Sequence, residues 1–373
     1  MTVYLDHAAT TPLRPAVLEA MMPFLTDQFG NPSGSHAVSR AARTAVDEAR
    51  DVVAECLGCE PGEVIFTGTG TEADNLAIAG VLARRLGTAL CSTIEHHAVL
   101  HAVQALRGSA VPVHPTGIVD LDALAAALSP EVSVVSVMLA NNEIGVIQPL
   151  DEVAAVVGEH APEAVLHTDA VQAFPWLDVA ALAGAAGLVA VSAHKFGGPK
   201  GVGALVARKG VRLVPILHGG GQERDRRSGT HNVAGIVGMA AAMRLTVAER
   251  EANLARVGAL RDRLGDALLA ALPGTVETGD RRQKVAGSCH LRFRGIESET
   301  LLVLLDDAGV CASAGSACAS GAMEPSHVLA AIGVDRADAR SAVRFSLGST
   351  TTADDVDLAV KAVTDAVSHL REA

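Results

Sequence analysis

The chain has 373 residues, which is long enough for one large and one smaller domain, each with its own hydrophobic core. Hydrophobic residues make up 49% of it but aromatic residues only 2%, which predicts a core of alanine, valine and leucine, as in α/β proteins. The formal net charge of −12, without any block of basic residues, excludes a nucleic-acid-binding surface.

The sequence carries no targeting or membrane signal and no cysteine framework. Met1 runs directly into a segment that contains Asp6 and His7, and the longest uncharged stretch, residues 179–193, is too short and too rich in alanine and glycine for a membrane span. The six cysteines are scattered, and the single C-x-x-C pair of Cys56 and Cys59 favours neither metal binding nor redox chemistry. We therefore expect a cytoplasmic protein that binds no metal and contacts no membrane.

Strand-like and helical patterns alternate through the first two thirds of the chain. Strand patterns cover residues 64–67, 89–92, 132–138, 164–167, 187–191 and 203–206, and helical patterns follow the first two of them at 72–86 and 97–106. The alternation predicts βαβ units around a mostly parallel sheet. Sites in such sheets gather at the carboxyl ends of the strands, so the residues that follow strands are expected to share one crevice: Thr71, His96, Asn142, Asp169 and Lys195.

The pattern changes after about residue 247. A charged amphipathic helix is predicted over residues 249–272, and shorter strand patterns follow at 288–293, 310–313 and 342–347, mixed with helices. This part of the chain is therefore expected to form a smaller α+β domain.

A lysine follows one of the predicted strands. Ser192, His194 and Lys195 lie between the strand pattern 187–191 and a glycine-rich turn. A lysine held in an apolar pocket has a lowered pKa and can form a Schiff base; the alternative is a surface lysine in a loop. Asp169, which also follows a strand, favours the first interpretation, because pyridoxal phosphate (PLP) enzymes need a lysine for the aldehyde and an acid for the pyridine nitrogen.

A turn rich in threonine and glycine, residues 67–74, joins a strand to a helix. Its glycines let an anion approach the N–H groups at the helix start, and Ser192 and His194 can add further donors. We expect this turn to bind a phosphate; the alternative is an ordinary helix start. Within the turn, Thr71 and Asp74 are predicted to form a capping pair.

Three other segments carry candidate site residues, each with a purely structural alternative. His96 is suited to stack on a pyridine ring and to shuttle protons, or it is a solvent-facing histidine. Asn141 and Asn142 can position a carboxylate or a phenolate oxygen, or they only form a turn. The glycine- and arginine-rich residues 218–230 can bind anions across a dimer interface, or they form a surface loop.

A candidate nucleophile and an isolated arginine lie near the C-terminus. Cys318 is part of residues 311–321, which are all small; such a segment can move, and a reactive thiol must be accessible. The alternative is close packing of small residues. Arg344 interrupts an otherwise apolar strand pattern, where it can bind a carboxylate with two hydrogen bonds or form an ordinary buried ion pair.

Together these segments resemble the NifS/IscS-type cysteine desulfurases, within the class V aminotransferase group of PLP enzymes. The resemblance covers nearly the whole chain, and its motifs are residues 4–12, 29–33, 70–72, 95–96, 141–145, 169–172, 194–195, 227–230, 315–318 and 324–327. It implies a type I PLP-dependent transferase fold with a mostly parallel seven-stranded sheet in a large domain, residues 13–250. Residues 1–12 and 251–373 are implied to form the small domain, with a mobile cysteine loop at about 311–323.

The resemblance implies PLP as the cofactor and assigns the residues that hold it. Lys195 binds the aldehyde, Asp169 pairs with the pyridine nitrogen and Gln172 contacts the phenolic oxygen. His96 stacks on the ring and takes part in catalysis. The phosphate is held by Gly70, Thr71, Ser192, His194 and, from the other subunit of a homodimer, Thr230.

The resemblance also implies the substrate and the reaction. Asn142, beside the cofactor, and Arg344 hold the carboxylate of L-cysteine, with Asn31 nearby. Lys195 removes the Cα proton, and Cys318 attacks the substrate sulfur, which leaves a persulfide on Cys318 and releases alanine. The sulfur then passes to an acceptor protein for thiolation or for iron–sulfur cluster assembly, where Cys318 contacts the cluster of the partner.

Four residues depart from the usual family pattern without removing a catalytic group: His7, His97, Ala193 and His231. Other functions on the same fold are a selenocysteine lyase, an aminotransferase, or a catalytically silent scaffold protein. An aminotransferase has no use for a mobile Cys318, and a silent protein has none for Lys195 and Cys318 together, so a desulfurase is favoured. The choice between sulfur and selenium stays open.

Overall fold

The computed structural model describes residues 2–314 and 326–372, in which strands and helices alternate along most of the chain. The strands are β1 (Val3–Tyr4), β2 (Val64–Thr67), β3 (Thr88–Ser92), β4 (Ser109–Val111), β5 (Val132–Ser136), β6 (Val165–Asp169), β7 (Leu188–Ser192), β8 (Gly203–Ala207), β9 (Thr275–Glu277), β10 (Ser288–Phe293), β11 (Val310–Cys311) and β12 (Ala342–Ser346). The helices are α1 (Pro15–Leu25), α2 (Ala37–Leu57), α3 (Gly70–Arg84), α4 (His97–Ala105), α5 (Leu121–Ala127), α6 (Leu150–His160), α7 (Val179–Leu182), α8 (Gln222–Asp225), α9 (Val233–Ala271), α10 (Ser298–Asp307), α11 (His327–Ala331), α12 (Arg336–Arg340) and α13 (Ala353–Glu372).

Seven strands form the main sheet, in the order β2–β8–β7–β6–β5–β3–β4. The run from β4 to β7 is parallel, whereas β8 runs antiparallel to both of its neighbours, β7 and β2. The prediction of a mostly parallel seven-stranded sheet is therefore confirmed. Every residue of β5, β7 and β8 is buried, as expected for strands whose sheet is covered by helices on both faces.

Alternate residues of each strand pack into different hydrophobic clusters, as the two-residue period of a strand requires. Leu188 and Ala190 of β7 pack with residues of α3 and α4 on one face of the sheet. Val189 and Val191 belong to the larger cluster on the opposite face, to which α2, α6 and α9 contribute. The main sheet is therefore a central layer between two layers of helices.

Helix α9 begins 16 residues earlier than predicted, at residue 233 rather than 249. Its first half, up to Thr246, consists largely of small or apolar residues that are buried on most sides of the helix. A helix buried all round lacks the amphipathic pattern from which a helix is recognised in a sequence. Only the second half, which carries the charged face, was predicted correctly.

The C-terminal part of the chain forms two small sheets, and one of them includes the N-terminal strand β1. Strands β12, β10 and β9 form an antiparallel sheet, and β11 pairs in parallel with β1. The predicted strand 310–313 is shorter in the structure, since β11 ends at Cys311 and only Ser313 bridges to Arg344. This mixture of short strands and helices agrees with the expected α+β character.

The strand ends determine where polar residues converge. The turns after β2, β3, β5, β6 and β7 all leave the sheet at the same edge, because these strands point in the same direction.

None of the helices within residues 2–314 and 326–372 has both the length and the apolar composition to cross a membrane.

Candidate active site

A cavity of about 380 Å³ opens at the carboxyl ends of the parallel strands. It is lined by ten of the residues predicted to form the site: Gly70, Thr71, His96, Asn142, Asp169, Gln172, Ser192, His194, Lys195 and Arg344. A smaller cavity of about 210 Å³ adjoins it, and both share Ala8, Asn142, Gln172, Lys195 and Arg344. The parallel sheet thus brings together side chains that are far apart in the sequence.

Lys195 lies directly after β7, at the end of a short 3-10 turn of residues Ala193–Lys195. Its Nζ donates hydrogen bonds to the carbonyl oxygens of Ala8 at 2.6 Å and Ala9 at 2.8 Å. The Nε2 of Gln172 donates to the same Ala8 oxygen at 2.6 Å. The N-terminal segment therefore closes one side of the cavity and orients the amine, a contact that the sequence patterns did not indicate.

Asp169 is the last residue of β6 and is buried. Its Oδ1 accepts a hydrogen bond from the N–H of Val171 at 2.8 Å. Burial raises the pKa of Asp169 to about 6, although the Val171 N–H and the charge of Lys195 both favour its ionised form. When it is ionised, this buried carboxylate is suited to pair with a positively charged group that enters the cavity.

The start of α3 forms a narrow cradle. A Cβ atom on Gly70 would lie only 2.9 Å from Cγ2 of Val171 and 3.3 Å from Cβ of Ser192, so any larger residue would displace its neighbours. The N–H groups of Gly70 and Thr71, in the first turn, have no acceptor within the helix and are suited to bind an anion.

The predicted capping pair of Thr71 and Asp74 is wrong. The N-cap of α3 is Thr69, whose side chain accepts from the N–H of Glu72 at 3.0 Å, while Glu72 Oε2 accepts from the N–H of Gly68 at 2.7 Å. The helix begins two residues earlier than the predicted pair requires. Thr71 and Asp74 consequently lie inside the helix, one turn apart, and both line the cavity.

Two histidines of the cavity are neutral at physiological pH. His96 is the N-cap of α4, and its Nδ1 accepts from the N–H of Ala98 at 3.1 Å, which leaves its proton on Nε2. Burial and the charge of Lys195 lower its pKa to about 4. His194, whose Nδ1 lies 3.2 Å from Oγ1 of Thr10, has its pKa lowered to about 4 by the same two causes. Both rings therefore act as hydrogen-bonding groups rather than as cations.

Arg344 lies in β12 and is almost completely buried. Its Nη1 donates to the carbonyl oxygen of Asn142 at 3.0 Å, and its Nη2 donates to Oδ1 of Asp6 at 2.8 Å. Its buried Nε has no hydrogen-bond partner among the described residues. The guanidinium is thus held in place from two sides and keeps N–H groups with which to bind a carboxylate.

Two of the described residues that were predicted to belong to the site, Asn31 and Thr230, do not line the cavity. Asn31 is exposed, and its Oδ1 accepts from the N–H of Ser33 at 3.0 Å. Thr230 is also exposed, beyond the turn of α8. Cys318 lies outside the described residues. The described residues on either side of it contact the cavity lining, since Ser313 pairs with Arg344 and Ser326 donates to the carboxylate of Glu143.

Several cavity residues were not identified from the sequence. They include Ala8, Ala9, Asp74, Met138, Glu143 and His327. Asp74 is the one for which the sequence contains a usable signal, because it lies one helical turn after Thr71 and so faces the same way.

The cysteines of the C-x-x-C pair lie elsewhere, at the end of α2, where both are free and burial raises the pKa of Cys59 to about 11.

The chain is similar in sequence and in fold to known proteins. A family model described as Aminotransferase class-V matches residues 3–359. The chain is 46% identical to an IscS-like cysteine desulfurase of Mycobacterium tuberculosis, over 99% of this chain and 97% of that protein. It is 43% identical to the cysteine desulfurase IscS of Methanosarcina thermophila, over 99% and 93% respectively. A solved NifS-like protein superposes with a TM-score of 0.93 at 36% identity, covering 99% of this chain and 100% of that one.

Proposed function

This chain belongs to the aminotransferase class-V family, and we propose that it is a cysteine desulfurase, which takes sulfur from L-cysteine and releases L-alanine. Its fold is that of the type I PLP-dependent transferases. One observation carries the proposal: the amine of Lys195 and the buried carboxyl of Asp169 line a single cavity beside an anion cradle at Gly70.

The described residues fit PLP as the cofactor. The cradle at Gly70 and Thr71 suits its phosphate, and a side chain at position 70 would occupy part of that space. Asp169 offers a buried acidic group to the pyridine nitrogen, and Lys195 offers the amine. When bound, PLP supplies an aldehyde that bonds to an amine and a ring that stabilises negative charge on the adjacent carbon.

Each cavity residue then has a specific task. Arg344 binds the substrate carboxylate through its remaining N–H groups, beside Asn142. In its neutral form, Lys195 Nζ would accept the proton from Cα of the substrate, as expected of a base placed after β7. Neutral His96, with its proton on Nε2, would hold the ring of the cofactor by stacking, and Gln172 would donate a hydrogen bond to its phenolic oxygen.

Cys318 is proposed as the nucleophile. Its thiolate attacks the sulfur of the substrate; the new S–S bond forms as the C–S bond breaks, and the electron pair of that bond leaves with the carbon fragment, which becomes alanine. The product is a persulfide on Cys318, which is passed to an acceptor protein for iron–sulfur cluster assembly or thiolation. We place this activity in the cytoplasm. We assign the loop that carries Cys318, at about residues 311–323, to a small domain of residues 1–12 and 251–373, beside a large domain of residues 13–250.

We further propose that two copies form the active dimer, with Thr230 of each copy completing the phosphate site of the other. Thr230 is exposed and is not among the residues that line the cavity of its own chain. Helix α1 and the turn after it expose large apolar side chains, which is typical of an interface: Leu18, Met22, Leu25 and Phe29. Asn31, also exposed, lies close to this surface in the sequence.

The test is an assay of the purified protein with PLP, L-cysteine and a reductant, in which sulfide and alanine are both measured. We expect equal amounts of the two products, without any need for a keto acid. Cys318→Ser should abolish sulfide release and keep the yellow cofactor-bound form, whereas Cys311→Ser, a change of another free cysteine, should retain activity. Full sulfide release by Cys318→Ser, or a strict need for a keto acid, would overturn the proposal. A parallel assay with L-selenocysteine measures the preference for selenium.

A further inference from the structure

A chain of buried polar side chains lies behind Asp169. His167 and Asp169 are two residues apart in β6, so their side chains emerge on the same face of the sheet. Helix α3 covers that face and contributes Asp74, which is only 1% exposed, while His167 is completely buried. None of the tasks proposed above uses Asp74 or His167.

The imidazole of His167 lies between Asp74 of α3 and Ser136 of β5. Nε2 of His167 lies 3.5 Å from Oδ1 of Asp74, and its Nδ1 lies 2.8 Å from Oγ of Ser136. His167 Nε2 and Asp74 Oδ1 are both buried and make no hydrogen bond among the described residues, so their 3.5 Å approach is a polar contact in which neither atom has another partner there. Burial lowers the pKa of His167 to about 3, so the ring is neutral and cannot balance a negative charge on Asp74.

The two carboxyls, Asp74 and Asp169, both line the cavity but differ in what supports a negative charge on them. Asp169 is favoured as an anion by the N–H of Val171 and by the charge of Lys195. Asp74 faces the neutral His167, and its pKa is raised well above the usual range by burial and by the charges of Asp169 and Glu95. Burial raises the pKa of Glu95 itself to about 8, so near neutral pH the charge of Asp169 is the larger of these two electrostatic effects on Asp74.

We propose that Asp74 is a positioning residue that works as a neutral carboxylic acid, donating its O–H proton to Nε2 of His167. His167 in turn donates its Nδ1 proton to Oγ of Ser136, which fixes the tautomer of the ring. Two buried carboxyls that line the same cavity and repel each other cannot both stay ionised without compensation, so a proton on Asp74 leaves the negative charge on Asp169. Asp169 is the group proposed to hold the pyridine nitrogen, and the inference rests on that part of the proposed function.

The decisive variant is Asp74→Asn, because an amide is neutral and can donate to His167 in the same way. The readout is the dissociation constant of PLP, measured by titrating the cofactor-free protein. We expect Asp74→Asn to change it by less than about threefold, and Asp169→Asn to raise it by more than about tenfold, since it removes the anion itself. A rise of tenfold or more in Asp74→Asn would overturn the proposal, because it would show that an ionised Asp74 is needed.

A matched pair of serine variants keeps the inference testable if Asp74→Asn does not fold. Ser136→Ala removes the acceptor of the imidazole proton, whereas Ser133→Ala makes the same change at a buried serine of the same strand that has no partner among the described residues. We expect weaker PLP binding in Ser136→Ala than in Ser133→Ala by about threefold or more. Equal dissociation constants for these two would count against the proposal.

The same titration separates this inference from the proposed function. A wild-type protein that binds no PLP contradicts the proposed function, whatever the variants do. A wild-type protein that binds PLP but releases no sulfide contradicts only the desulfurase activity. In that case the comparison of Asp74→Asn with Asp169→Asn still decides the role of Asp74.

Discussion

Arg344 and Asp6 form an ion pair of 2.8 Å although they are 338 positions apart in the chain. The guanidinium is 4% exposed and the carboxylate 21%, so the pair is mostly screened from solvent by the protein. Because Asp6 and the carbonyl of Asn142 hold the guanidinium from two sides, it is oriented before a substrate arrives. This preorganised arginine is the basis of the first prediction.

Arg344→Lys should weaken substrate binding more than it slows the reaction. A lysine keeps the positive charge but cannot hold Asp6, Asn142 and a carboxylate in one plane. We expect KM for L-cysteine to rise by about tenfold or more, with a smaller change in kcat, in steady-state assays of sulfide release. The control is Arg263→Lys, a half-exposed arginine paired with Asp357, which should leave both constants unchanged. An unaltered KM in Arg344→Lys would rule out carboxylate binding by this residue.

Gly70→Ala should impair the binding of PLP without preventing folding. The added Cβ would approach Val171 to 2.9 Å and fill part of the cradle at the start of α3. We expect PLP affinity to fall by about tenfold, measured by titration of the cofactor-free protein.

Gly158→Ala is the matched control, because Gly158 lies on the exposed side of α6 and its new Cβ would meet nothing within 4 Å. In a helix interior this change should stabilise the protein by about 0.5–1 kcal/mol and leave PLP binding unchanged. Equal affinities in both alanine variants would contradict the role of the cradle.

Glu223→Gln should strongly destabilise the protein. Glu223 accepts from Arg50 at 2.6 and 2.9 Å, from the N–H of Phe66 at 2.9 Å, and lies 2.7 Å from Nε2 of His231. These contacts hold a turn in which Glu223, Arg224 and Asp225 all have positive φ values. Removing the charge leaves Arg50 buried without its counter-ion, which should cost about 3–5 kcal/mol of the free energy of unfolding.

Urea unfolding of Glu223→Gln and of Asp357→Asn checks this expectation. Asp357 pairs with Arg263 on the surface, where both side chains are at least half exposed, so its loss should cost less than about 1 kcal/mol. Similar losses in the two variants would mean that the buried pair does not stabilise the turn before Thr230.

Stability should decrease as the pH falls below neutral, because buried histidines resist protonation. Burial lowers the pKa of His290 from 6.5 to about 3, so between these values the unfolded chain binds a proton that the folded chain does not. The contribution of His290 is complete above pH 6.5 and is lost progressively as the pH falls towards 3. Each such histidine adds up to about 1.4 kcal/mol per pH unit to the slope.

His290→Gln should reduce this slope by up to that amount, since glutamine does not titrate and can still bond to Oγ1 of Thr278. The measurement is the free energy of unfolding in urea between about pH 4.5 and pH 8. The exposed His160, changed to glutamine, serves as the reference and should leave the slope as it is. An identical pH dependence in both variants would show that His290 takes up its proton in the folded state.

Local patterns predicted six of the seven strands of the main sheet and much of the cavity, whereas β4 had no recognised pattern and the number of seven strands came from the family resemblance. Short apolar runs indicated these six strands, and the rule that parallel strands open at one edge was enough to group Asp169, Lys195 and His96. These inferences succeed because they depend on periodicity and on chain direction, both of which a short segment contains. The same reasoning failed for the first half of α9, where burial on most sides removes the periodic signal.

The contacts that orient the cavity residues join distant segments. Ala8 and Lys195 are 187 positions apart, and the Thr69–Glu72 cap replaces the expected Thr71–Asp74 pair because the helix starts earlier. Residue order and composition were enough to identify the family, the sheet and the chemistry of the side chains. The partner of each side chain, including His167 for Asp74 and Asp6 for Arg344, depended on how the helices and the N-terminal segment pack on the sheet. That packing minimises buried, unpaired polar groups over the whole chain, so no single segment encodes it.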